Sequence, residues 1–257
     1  AGTGVATVGA AIVRRSWRIK PDEAAQPLST WWRWIFGAGL LFYGIYTFFY
    51  AMAPEASPDG SSYHLGVVGR YLRNGGFTWY TDNMYANLPM GVEMLFLYAF
   101  AFGRHSAAAL VHWQFLLALP FVLLAIGKRF GSAKTGAIAG LITFMTPVIM
   151  IDGSTAYVDT ATATVIAGLF LALTAWEQTG DRCWLPVVGI LAGFSYCCKM
   201  TAAPAVIFAL LYVAWTMLRQ RQWRWRPLLT VGAIAGALIA PWLIKNTLMV
   251  GNPFSPF

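Results

Sequence analysis

Much of what could do chemistry gathers in one stretch. Pro54–Glu93 reads PEASPDGSSYHLGVVGRYLRNGGFTWYTDNMYANLPMGVE and holds Glu55, Asp59, His64, Arg70, Arg73, Asp82 and Glu93. Asp59 has the chemistry of a general base or a metal ligand. It also fits a helix N-cap, because PDGSS ahead of an amphipathic segment is a turn and cap signal. His64 has the chemistry of a proton relay, but no second His lies near it in the chain, so a hydrogen-bonding role is the simpler expectation. Glu93 sits one turn into an apolar segment, where it faces a cavity or pairs with Arg70 or Arg104.

Four further positions stand out. Asp152 and Asp159 lie seven residues apart in DGSTAYVD. Asp152 reads as a charge favourable to the next helix dipole. Asp159, among Ala and Thr at that helix start, reads as pointing into the bundle. Lys199, in CCKMTAAP between two apolar segments, suits an anionic ligand or snorkels at a helix end. Lys245-Asn246 closes an apolar segment, as a phosphate-binding cation or as a favourable C-terminal charge. No Walker loop, nucleophile elbow or HExxH occurs. Cys183, Cys197 and Cys198 show neither metal-ligand spacing nor a disulfide framework.

The elements that must position these residues are membrane helices. The 257 residues are 58% hydrophobic and only 11% charged, far below the ~25% of soluble domains. Several segments approach the ~20 apolar residues of a spanning helix, and the alternation of a transmembrane barrel is missing. The fold class is therefore an all-α polytopic membrane protein. The net charge of +8 follows from cytoplasmic basic loops rather than from a nucleic-acid partner.

About seven spans are expected: a helix running out to about Ala53, then Ser106–Ile126, Thr135–Ile151, Tyr157–Trp176, Trp184–Cys197, Thr201–Leu218 and Pro227–Ile244. The basic runs RRSWRIK, GKRFGSAK and RQRQWRWR fix the cytoplasmic side. Residues 54–105 then form an extracytoplasmic loop. Within it, Ser61–Asn74 predicts an amphipathic interfacial helix with Leu65, Val68 and Leu72 on its apolar stripe. Gly75-Gly76 stops that helix. Leu88–Gly103 either packs as a non-crossing juxtamembrane helix or forms a tight hairpin turning at Arg104-His105. Charge placement favours the first, because two crossings would put GKRFGSAK outside. Ala1–Val13 reads as the end of a helix whose start is missing, with residues 14–257 forming one transmembrane domain. Five of the eighteen basic residues fall at the outer face, as do six of the ten acids.

An ordered set of motifs runs from residue 40 to 257: PDGSSYHLGVVGRYLRNGG, LPMGVEMLFLYAF, TPVIMIDGSTAYVDTATA, GFSYCCKMTAAP and APWLIKNTLMVGNPFSPF. Together they resemble the GT-C superfamily of membrane glycosyltransferases, in particular the aminoarabinose transferase and protein O-mannosyltransferase types. The resemblance implies juxtamembrane helices in the first outer loop and transfer, with inversion, of a sugar carried on polyprenyl phosphate. It implies Asp59 as the base on the acceptor hydroxyl, Lys199 near the donor phosphate, and Asp159 as an acid at the start of a later helix. Arg70 and Lys245 are expected to support Lys199 on the phosphate, with His64, Glu93, Asp159 and Asn246 lining the cavity. The sequence departs from many relatives, which carry paired acids in this loop, by placing Gly60 after Asp59.

The expected partners are membrane lipids and the lipid-linked sugar donor, at the outer face of a bacterial inner membrane. No cofactor is implied. A divalent metal is compatible with the reaction, though no residue set is assigned to hold one. The other reading is a non-catalytic accessory subunit of a larger membrane complex on the same scaffold. A transporter fits less well, since internal repeats are missing.

Overall fold

A computed structural model describes residues 27–80, 83–221 and 223–257. The expectations on Ala1–Val13, on RRSWRIK and on Asp82 lie outside these residues. The described residues form nine α-helices: α1 (Thr30–Ala51), α2 (Leu65–Asn74), α3 (Gly91–Arg129), α4 (Ala133–Phe144), α5 (Pro147–Gly153), α6 (Asp159–Thr179), α7 (Trp184–Cys198), α8 (Ala203–Arg219) and α9 (Trp225–Val250). The protein is thus an all-α polytopic membrane protein. Four long helices, α1, α3, α6 and α9, have the length and apolarity of a span, and so does Met200–Arg219, which contains α8. A sixth span arises if α4 and α5, bent by 70° at Met145–Thr146, are one broken segment. The remaining expected span, α7, has only 15 residues, a rise of ~22 Å.

Helix α3 is 39 residues long but not straight. Arg104 leaves helical geometry with φ 56° and ψ −138°. The rings of Phe96 and His112 lie 6.3 Å apart. Sixteen residues of straight helix would separate them by ~24 Å. The chain therefore folds back at Arg104. Its first limb, Gly91–Gly103, rises only ~20 Å, short of a ~30 Å hydrocarbon core. The turn lies at the Arg104 position foreseen for a hairpin, on a limb with the short length foreseen for a juxtamembrane helix. The second limb runs antiparallel to α1: Phe36 meets Phe121, Trp113 donates to the Thr47 hydroxyl at 2.9 Å, and Ser106 donates to the Met52 carbonyl at 2.9 Å.

Small residues draw the helices together. A Cβ on Gly136 would meet the Leu123 carbonyl at 2.7 Å across the α3–α4 seam. A Cβ on Gly193 would meet the Ala235 backbone at 2.8 Å across the α7–α9 seam. Such backbone approach replaces the hydrophobic drive that lipid does not supply between helices. The core between α6, α7, α8 and α9 is built on Leu173, Val188, Ala192, Ala209 and Val213.

The amphipathic helix lies where expected, with one shift of face. Leu65, Val67, Val68 and Tyr71 are buried, whereas Leu72 is exposed. The stripe is centred on Val67 and Tyr71 because Ala86, Met90, Cys197 and Trp242 close over that side. Gly75 ends α2 at φ 68°, with the Gly76 N–H on the Tyr71 carbonyl at 3.0 Å. That left-handed turn is where glycine carries no Cβ penalty. One end of the bundle therefore carries the loop residues. The opposite end carries Lys128, Arg129, Lys134, Arg219, Arg221, Arg224 and Arg226.

Candidate active site

The loop is fastened by Glu55. Its Oε1 accepts the Ser57 N–H at 2.9 Å and the Ser57 hydroxyl at 2.5 Å, and its Oε2 accepts the Ala156 N–H at 2.9 Å. Burial pushes the Glu55 carboxyl up, but the Ala156 and Ser57 donors outweigh it, with His105 adding, and hold the group below its ordinary range. This lock explains Gly60. A Cβ there would lie 2.5 Å from the Ser57 Oγ and 2.6 Å from the Glu55 Cδ. Gly60→Ala should cost about 1–3 kcal/mol through that overlap, read as a lower thermal midpoint of the purified protein.

Asp59 stands at the start of a π-helical turn, Gly60–His64, that runs into α2. The expected cap does not form: the Asp59 side chain makes no capping hydrogen bond and is exposed. The chain is held here by Glu55 instead, which leaves Asp59 available to solvent. One turn on, His64 points inward. Its Nδ1–H donates to Glu93 Oε1 at 2.7 Å, with both side chains buried. Glu93 thus pairs with His64 and not with Arg70 or Arg104. Its second oxygen, Oε2, is buried without a partner among the described residues.

The start of α6 supplies the next groups. Asp152 caps it, its Oδ2 accepting the Thr160 N–H at 2.7 Å and the Thr160 hydroxyl at 2.5 Å. This satisfies one of the orphan N–H groups of a helix start. Beside it, His112 Nδ1–H donates to the Thr155 carbonyl at 2.9 Å, and its Nε2 accepts the Ala161 N–H at 3.1 Å. Those partners fix a neutral tautomer, so the 3.9 Å approach of Nε2 to Asp152 is not an ion pair. Asp159 and Lys199 are joined directly as an ion pair, half-exposed on both sides. Lys199 reaches it because α7 ends there, with an extended Lys199 between Cys198 and the 3-10 turn Met200–Ala202.

Tyr63 is the meeting point. Its ring stacks on Tyr85 at 4.5 Å and lies 4.2 Å from His64. Burial, then the charges of Asp59, Glu93 and Asp159, push its phenol up to about 12. Three carboxylates from three segments thus lie near enough for their charges to act on one phenol. His64 also lies 5.7 Å from the Tyr157 ring, two residues before Asp159. Asp59, His64, Glu93, Asp159 and Lys199 thus share one neighbourhood at the loop end.

The other expected residues serve differently. Lys245 is buried, donates to the Ala86 carbonyl at 2.6 Å and lies over the Trp242 ring at 5.3 Å. The Asn246 amide N–H donates to the carbonyls of Asn87 at 2.7 Å, Ser255 at 3.2 Å and Pro253 at 3.3 Å. Together they tie the end of the loop to the segment after α9. Arg70 lies over the Tyr80 ring at 5.0 Å. Sequence reasoning gave no role to Glu55, Tyr63 or His112. Glu55 and Tyr63 carried a signal, standing in the charged stretch on either side of Asp59, whereas His112 sits in an apolar run that hides it. Among the described residues, no three His, Cys, Asp or Glu side chains come together as a metal site would require.

Apolar helices thus hold an acid–cation cluster at one end of a membrane bundle. Residues 86–244, more than half the chain, match the dolichyl-phosphate-mannose-protein mannosyltransferase family. The chain belongs to this family, and with it to the membrane glycosyltransferases of the GT-C type. Glu93, Asp159 and Lys199 lie inside the matched region, while Asp59 and His64 precede it. Comparison with curated proteins gave no match, and neither did comparison with solved structures.

Proposed function

We propose that the chain transfers a sugar from a polyprenyl-phosphate donor to an acceptor hydroxyl, with inversion, at the loop-bearing face of the bundle. The observation that carries this reading is the Asp159–Lys199 ion pair at the loop end of a chain of this family, with the charges of Asp59 and Asp159 both acting on Tyr63. The family's description names a dolichyl-phosphate-linked mannose and a protein acceptor, so that donor class is the first to try. The basic residues at the opposite end support a site on the face away from the cytoplasm. In a bacterial inner membrane it would face the periplasm.

Asp59 takes the proton of the acceptor hydroxyl as its oxygen bonds to the sugar's anomeric carbon. The bond from that carbon to the phosphate oxygen breaks, and polyprenyl phosphate leaves with the electron pair. This is the chemistry of an inverting enzyme with a carboxylate base. Lys199 exchanges its partner Asp159 for the departing phosphate and offsets the charge that develops there. Arg70 and Lys245 act at longer range, Lys245 by holding the Met84–Asn87 turn. The His64–Glu93 pair fixes the helical turn that carries Asp59.

Lys199→Gln should lower kcat/KM for a polyprenyl-phosphate mannose donor about 10- to 100-fold, the worth of one charge-assisted hydrogen bond. Lys199→Arg should retain most of the rate. The measurement is initial transfer in proteoliposomes at varied donor concentration. Equal kcat/KM for Lys199→Gln and wild type would remove Lys199 from the donor site.

A further inference from the structure

A second cluster of cations lies far from the loop, at the basic end. Arg182, in the turn between α6 and α7, faces Arg224 and Arg226 across a cleft of about 610 Å³. Leu185 and Pro186 of α7 and Trp223, Trp225, Pro227 and Thr230 complete its wall. Among the described residues its lining has three guanidinium groups and no carboxylate; Glu177 lines the adjoining cleft, which shares Arg182 and Arg224. The nearby acids are already engaged: Glu177 by Tyr212 and Arg219, Asp181 by the Cys183 N–H at 2.9 Å. Arg226 lies over the Trp225 ring, 6.0 Å from its centroid.

Three guanidinium groups gathered in one recess repel one another unless an anion sits between them, and guanidinium geometry suits phosphate oxygens. The surroundings say which anion. Trp223 and Trp225 are exposed, as aromatic residues are at a bilayer's headgroup level. Val187 and Ile190 of α7 and Leu229 of α9, a few residues further along the helices that line the cleft, are apolar and exposed. Charge at the rim, an aromatic belt and an open apolar track together fit a phosphate on two acyl chains.

We propose that this cleft is a binding site for an anionic phospholipid, its headgroup phosphate held by Arg182, Arg224 and Arg226 and its chains lying on Val187, Ile190 and Leu229. It is separate from the sugar-transfer site, at the other end of the bundle.

The test uses the intact protein in neutral-lipid nanodiscs, titrated with phosphatidylglycerol and read by native mass spectrometry. Arg182→Gln with Arg224→Gln should bind about 30-fold more weakly, from two lost surface charges. A control pair at the same end but outside the cleft, Lys128→Gln with Lys134→Gln, should bind as wild type does. Thermal midpoints of the unliganded variants report folding independently. Equal loss in both pairs would overturn the site in favour of diffuse charge. Full displacement of the lipid by millimolar inorganic phosphate would overturn it in favour of a soluble anion.

Discussion

Replacing Asp59 with Asn is expected to lower transfer about 10²–10⁴-fold, the usual worth of a positioned general base. The fold should survive. Asp59 is exposed and makes no capping bond, so its charge holds nothing in place. The turn it stands on is fixed from both sides, by Glu55 on Ala156 and by His64 on Glu93. Asn keeps the shape and removes the basicity. The measurement is the initial rate in proteoliposomes, with the thermal midpoint as control. A rate within a few-fold of wild type would assign the proton to another group, Asp159 being the next carboxylate at hand.

The largest effect on stability is expected at His64 and Glu93. His64→Ala leaves a carboxylate buried without its one partner, and its Oε2 already lacks one. Removing one partner of a buried hydrogen-bonded acid costs about 1–3 kcal/mol, and more where the group is charged. In a chain of this size that lowers the thermal midpoint by on the order of 10 °C. Replacing both residues with Leu should recover most of the loss, because no charge is then stranded. The double-mutant cycle in detergent separates the pair from its surroundings. Losses that simply add would show that the two side chains are not coupled, and that something else holds the turn.

Much of the scaffold was legible because membrane segments announce themselves by length and apolarity. The order of spans, the stop at Gly75 and the fold-back near Arg104 each rest on a local cue. Asp159 and Lys199 were also visible, since an ionisable residue at the end of an apolar segment is costly without a purpose. What the chain could not show was pairing over distance. His64 and Glu93 are 29 residues apart, and only the packing of Leu65 and Val68 of α2 against Val92 and Phe96 of α3 brings them together. Leu72 and Val67 exchange places because the buried face of α2 is chosen by Trp242 and Cys197, which lie far along the chain. Lys245 shows the same limit. A cation at a helix end suggests an open phosphate site, yet the turn at Ala86 closes over it. Gly60 read as a departure from paired acids, and its reason is the Glu55 carboxyl packed where a Cβ would be.

The proposed role of Asp59, Asp159 and Lys199 in sugar transfer is tested most directly by supplying the donor. Wild-type proteoliposomes would receive radiolabelled dolichyl-phosphate mannose, other polyprenyl-phosphate sugars, or a nucleotide-linked sugar, together with a membrane extract as acceptor source. The expected result is label transferred from a polyprenyl-phosphate sugar alone, with release of polyprenyl phosphate and an inverted anomeric linkage in the product. Label transferred from the nucleotide-linked sugar, or from none of the donors, would contradict it; the second outcome would favour an accessory subunit on the same scaffold.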